Sequence, residues 1–130
     1  MTTGQLHHVE LYVSDLAKST EFWGWLLEEL GYRIFQSWSK GQSWILESAY
    51  IVLVQTEDRF LDVPYHRCRT GLNHLAFHAR SREHVDELIC KLTSRGVNFL
   101  YQDKHPFAGG SYGVFFEDPD RIKIELVSPD

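Results

Sequence analysis

Two histidines and one glutamate in this chain have the types and placement to hold a metal ion. His8 stands in the run Leu6-His7-His8-Val9-Glu10-Leu11, His74 in Leu72-Asn73-His74-Leu75-Ala76-Phe77, and Glu125 in Lys123-Ile124-Glu125-Leu126. The two histidine runs are 66 positions apart and match in pattern, so histidine meets histidine in the middle of each. Two imidazoles and a carboxylate are a common ligand set for a catalytic divalent ion, with positions left open for water or substrate. Zn, Mn, Ni and Fe all accept such a set, so the expected cofactor is one divalent metal ion of open identity.

These residues need elements to present them. Residues 6–13 alternate, with Val9, Leu11 and Val13 on one face and His8, Glu10 and Tyr12 on the other, which predicts a strand. Ser14 or Asp15 can cap a helix carrying Leu16, Phe22, Trp23, Leu26, Leu27 and Leu30, and Gly31 supplies its stop. Three β-rich segments follow, about 32–38, 43–47 and 50–55, with Lys40 and Gly41 as a turn. Residues 56–70 are polar, turn-rich and without a period, as a connector would be.

The pattern then restarts. Residues 72–79 alternate, Ser81 can cap a helix with Val85, Leu88, Ile89 and Leu92, and Gly96 ends it. Strands are predicted at about 97–101, 112–117 and 122–128, with Asp118-Pro119-Asp120 as a turn. Residues 51–58 can be laid on 123–130, which puts Leu53 opposite Glu125. The expected architecture is therefore α+β: two βαβββ modules, about 6–56 and 71–128, within one domain spanning 1–130 and forming an open barrel-like cleft. If the apolar strand faces meet the helices, then His8, His74 and Glu125 face the cleft and converge.

Other side chains have weaker claims. His78 shares the face of His74 and is placed to contact substrate, while His7 is expected to point away from His8. Gln55 could offer an amide oxygen to a ligand. Trp38, Trp44, Tyr50, Tyr101, Phe107 and Tyr112 should line the cavity, Trp44 and Tyr112 being taken as substrate contacts. His66, His84 and His105 read as solvated.

Composition narrows the function. Thirteen basic and eighteen acidic residues give a net charge of −5, and no Lys/Arg cluster tracks a phosphate backbone, so no nucleic-acid partner is expected. No apolar run approaches the ~18 residues of a membrane helix and no signal-peptide core opens the chain, so no membrane partner is expected. Cys68 and Cys90 form no CxxC pair and are expected reduced, in the cytoplasm. A 130-residue chain can bury roughly 68% of its unfolded surface, enough for a monomer or homodimer without a staple.

The runs 6–16 and 71–77, with Phe116-Glu117-Asp118-Pro119-Asp120 leading into Ile124-Glu125-Leu126, resemble the vicinal oxygen chelate superfamily of glyoxalases, bleomycin-resistance proteins, fosfomycin-resistance enzymes and extradiol dioxygenases. The resemblance covers nearly the whole chain. It implies that His8, His74 and Glu125 bind the metal, with Glu125 also catalytic. The implied activity is that of a lyase, isomerase, transferase or dioxygenase on a small molecule chelated through vicinal oxygens. The alternative it implies is a metal-free, ligand-sequestering protein of the bleomycin-resistance type. Two departures stand out. Glyoxalase I enzymes carry a further carboxylate where Leu53 falls here, beside Val52, so glyoxalase I activity is expected to be absent or very low. Arg121 replaces the glycine usual after Asp-Pro-Asp.

Overall fold

A computed structural model describes residues 3–130. Two compact units divide the chain, residues 1–64 and 65–130. Each is a four-stranded mixed sheet with one helix, and the two have the same topology.

In the first unit the order is β1 (His8–Val13), α1 (Leu16–Glu29), β2 (Arg33–Trp38), β3 (Gly41–Leu46) and β4 (Ala49–Gln55), with strands arranged β1-β4-β3-β2. β1 runs parallel to β4, and the other neighbours are antiparallel. The period-2 pattern of β1 behaves as expected, with His8, Glu10 and Tyr12 exposed and Leu11 and Val13 buried. Asp15, rather than Ser14, caps α1, its carboxylate accepting from the Lys18 N–H at 3.2 Å. After Glu29 the chain closes with the Tyr32 N–H on the Leu27 carbonyl, and Gly31 takes φ 97°, a conformation that strongly favours glycine.

α1 packs on β3 and β4, with Phe22, Trp23, Leu26 and Leu27 of the helix and Leu53 and Trp44 of the sheet all buried. Gly24 explains itself here. A Cβ on it would stand 3.3 Å from the Trp44 ring, so the glycine lets the indole lie against the helix. The roughly 0.5–1 kcal/mol that glycine costs inside a helix is offset by burying one of the largest core side chains.

The second unit repeats the plan with β5 (His74–His78), α2 (Arg82–Ser94), the short β6 (Phe99–Leu100), β7 (Gly113–Glu117) and β8 (Lys123–Val127), arranged β5-β8-β7-β6. Ser81 caps α2 by accepting from the His84 N–H at 3.0 Å. Val85, Leu88 and Leu92 of α2 are buried, as are Val114, Phe116, Ile124 and Leu126 on the sheet. Between β7 and β8, the Asp118 carboxylate accepts from the N–H groups of Asp120 and Ile122 at 2.8 and 2.7 Å. That turn holds Arg121 at φ 65°, so an arginine occupies a left-handed position that glycine fills more cheaply.

The ladders shift the expected match of residues 51–58 with 123–130 by one residue. Glu10 pairs with Val52 in the first sheet, and its counterpart Ala76 pairs with Glu125 in the second. Val52, not Leu53, is therefore the positional equivalent of Glu125. Leu53 is fully buried on the other face. No described helix is long and apolar enough to cross a membrane.

Candidate functional site

On the helix-free face of the second sheet, His74 of β5 and Glu125 of β8 stand side by side. Alternation puts them there: Leu75 and Phe77 share the opposite face with Ile124 and Leu126. His74 Nε2 lies 3.4 Å from Glu125 Oε1, beyond a good hydrogen bond. Two donors each about 2.1 Å from one tetrahedral ion are separated by about 3.4 Å. The pair thus has the spacing of two ligands that share an ion.

The chemistry of the donors agrees. His74 Nδ1 is 2.8 Å from Asn73 Oδ1, an acceptor, so the neutral imidazole carries its proton on Nδ1 and its lone pair on Nε2. The Glu125 side chain is only 11% exposed, whereas that of His74 is 35% exposed. The carboxylate is therefore sheltered and the imidazole open. Phe115 of β7, the ladder partner of Glu125, sets its ring edge-on to His74 with centres 5.9 Å apart. Gly109, in the loop before β7, approaches from above: a Cβ there would fall 2.7 Å from Glu125 Oε2 and 3.0 Å from Phe115.

His8 sits in the first unit, exposed at the start of β1. Its ring stacks on that of Tyr50, centres 4.7 Å apart and planes nearly parallel, which fixes its orientation. Its Nδ1 lies 2.9 Å from His7 Nδ1. His7 therefore does not point away as strand alternation suggested, because it precedes the strand and is not bound by the pleat. With the proton on His8 Nδ1, the lone pair of His8 falls on Nε2. Among the described residues no three His, Cys, Asp or Glu side chains gather around one point.

The remaining candidates part ways. His78 is exposed on the His74 face of β5. Gln55 is consumed by the backbone: its Oε1 accepts from the Leu16 N–H at 2.8 Å and its Nε2 donates to the Ser14 carbonyl at 2.9 Å. It closes the start of α1 onto the end of β4, with both ends of its amide engaged. Trp44 is 1% exposed in the core, because its ladder partner Ile51 puts it on the helix side of the sheet. Tyr112 precedes β7 and donates to Asp86 of α2 at 2.6 Å, with Arg82 over its ring, so it belongs to the helix side as well. His84 is buried rather than solvated, its Nδ1 accepting from the Arg80 N–H at 3.0 Å.

Two residues with a claim on the site were given none by sequence reasoning. Lys123 lies on the Glu125 face of β8, and Asn73 orients His74. Both were legible in principle, one from the strand's period and the other from its place next to His74.

The sequence pattern of the Glyoxalase/Bleomycin resistance protein/Dioxygenase superfamily matches residues 5–126. The chain is 60% identical over 126 residues to Bacillus subtilis YqjT, covering 95% of this chain and 98% of that protein. It superposes on a solved Bacillus halodurans structure with a TM-score of 0.96 at 60% identity, covering 98% of this chain and 97% of the other. The Listeria monocytogenes fosfomycin resistance protein FosX, solved with Mn(II) and a sulfate ion, gives a TM-score of 0.71 at 25% identity over 100% of this chain and 93% of its own.

Proposed function

The chain belongs to the Glyoxalase/Bleomycin resistance protein/Dioxygenase superfamily, and from that premise we propose that it is a divalent-metal-dependent enzyme acting on a small molecule held through adjacent oxygen atoms. His74 and Glu125, joined by His8, hold the ion. The observation that carries this reading is the 3.4 Å spacing of His74 Nε2 and Glu125 Oε1, with the His74 proton held on Nδ1. The Mn(II) of the FosX structure supports metal dependence over metal-free sequestration of a ligand.

A bound ion supplies Lewis acidity, stabilising negative charge on a ligand oxygen. The protein's own side chains supply the rest. Asn73 holds His74 in the tautomer that exposes Nε2. Glu125 contributes the one negative charge of the set, in a sheltered position where that charge is poorly screened. Tyr50 fixes the plane of the His8 ring. Isomerisation, addition to an electrophile and oxygen insertion all gain from such a site. Glyoxalase I isomerisation also needs a second carboxylate as base, worth ~10²- to 10⁴-fold. Neither Val52, at the equivalent position, nor Leu53 beside it provides one.

Elemental analysis of protein purified without chelator tests the proposal. About one divalent ion per chain is expected in the wild type. It should be lost in His8→Ala, His74→Ala and Glu125→Gln proteins that retain the wild-type circular dichroism spectrum. Full metal content in folded Glu125→Gln would refute it and favour the ligand-sequestering alternative.

A further inference from the structure

A positive charge without a negative partner lies beside the His74–Glu125 pair. Lys123, at the start of β8, is 8% exposed. Its ammonium donates to the Tyr101 hydroxyl at 3.0 Å and sits 5.1 Å from the centre of the Tyr101 ring and 5.6 Å from that of Phe115. Among the described residues no carboxylate pairs with it. Glu117, its partner in the ladder, is engaged by Arg67, Arg121 and Asn98 instead. Two aromatic faces and one neutral acceptor offset part of the cost of burying an ammonium, and two of its three N–H groups remain for something else.

The position of Lys123 says what that something meets. It shares a strand face with Glu125 two residues on, about 6.5–7 Å along the strand. It is also the ladder neighbour of His74. Phe115 joins the two halves of this surface, its ring touching His74 on one side and Tyr101 on the other, with centres 5.9 and 5.2 Å away. In the first module the equivalent position is Tyr50, whose ring stacks on His8. An ammonium has replaced a ring only where the carboxylate ligand candidate lies.

We propose that Lys123 and Tyr101 form an anion-binding subsite, gripping a carboxylate or phosphoryl oxygen of the same small molecule whose other oxygens face His74 and Glu125. The ligand is then a small acid with a hydroxyl or carbonyl oxygen within a few bonds of its anionic group. This rests on the reading of His74 and Glu125 as ligand-facing donors.

Calorimetric titration of lactate, lactamide and inorganic phosphate into metal-free and Mn(II)-loaded protein tests it. Lactamide keeps the shape and hydroxyl of lactate but not its charge. Wild type should prefer lactate by about tenfold or more. Lys123→Met should abolish the preference and Lys123→Arg should retain it. Phosphate that competes with lactate assigns the subsite to phosphoryl as well as carboxylate groups, and lactate binding without phosphate binding restricts it to carboxylates. The melting temperature of Lys123→Met should be unchanged or raised, because an unpaired buried charge has been removed. Equal affinities for lactate and lactamide, no binding of either lactate or phosphate, a preference that survives Lys123→Met, or a large fall in its melting temperature would each overturn the subsite. Failure of wild type to bind any of Mn(II), Zn(II), Ni(II) and Fe(II) would instead sink the metal-dependent reading, and the metal-free titrations would still decide the role of Lys123.

Discussion

Gly109 lies so close to Glu125 that the Cβ it lacks would fall 2.7 Å from Oε2 of the carboxylate. Its φ lies outside the left-handed range, so alanine suits the backbone and the only obstacles are side chains. The end of a flexible glutamate moves more cheaply than a strand does. Gly109→Ala should therefore displace the carboxylate while changing stability by no more than about 1 kcal/mol. A 10- to 100-fold loss of metal affinity is expected, roughly that of mutating a group that orients a ligand. Metal titration and urea denaturation of one preparation check both halves.

His7 should matter to the metal through His8. The two Nδ1 atoms are 2.9 Å apart, so His7 can accept a hydrogen bond from His8 Nδ1–H, the tautomer that leaves the His8 lone pair on Nε2. His7→Ala removes that acceptor but not the Tyr50 stack. Metal affinity is expected to fall about 10-fold, less than in His8→Ala, with the far-ultraviolet spectrum unchanged. Equal losses in the two variants would show that His7 is itself a ligand.

Gln55→Leu separates a structural amide from a ligand. It strips the Leu16 N–H of its acceptor and the Ser14 carbonyl of its donor at the start of α1. A loss of about 1–2 kcal/mol in chemical denaturation is expected, with metal content unchanged. Lower metal content at full folding would restore Gln55 to the site.

Glu117 should govern acid stability. Burial raises its pKa, but hydrogen bonds from Asn98, Arg67 and Arg121 outweigh that and hold it below the usual carboxylate value. A carboxyl depressed in the folded state contributes stability above its unfolded pKa and loses that contribution as pH falls through its folded pKa. Glu117→Gln should cost about 3 kcal/mol at pH 7, since it leaves two arginines facing a neutral amide. The gap between variant and wild type should close on acidification below about pH 4.5, which denaturation at neutral and acid pH measures.

Strand period and helix stops made the modules legible, and alternation alone put His74 and Glu125 on one face. What escaped was register and local capture. The apolar run 51–54 can be aligned with β8 in either of two ways, and only the hydrogen-bond ladder selects Val52 over Leu53. Trp44 and Tyr112 have aromatic types that suit a cavity, but a one-residue choice of strand face sends Trp44 into the core. Tyr112 is drawn to Asp86, a partner 26 residues away that no local pattern reveals. Gln55 was lost to a helix end that competes for any nearby acceptor.

In each sheet the first strand of the module pairs in parallel with the last, and nothing between them can take its place. During synthesis β5 therefore has no strand partner until β8 has left the ribosome. His74 acquires its carboxylate neighbour in that same event, since Glu125 arrives on the strand that completes the sheet. The pair is thus a product of sheet closure: the second module holds His74 and Glu125 at 3.4 Å only once β8 has paired with β5.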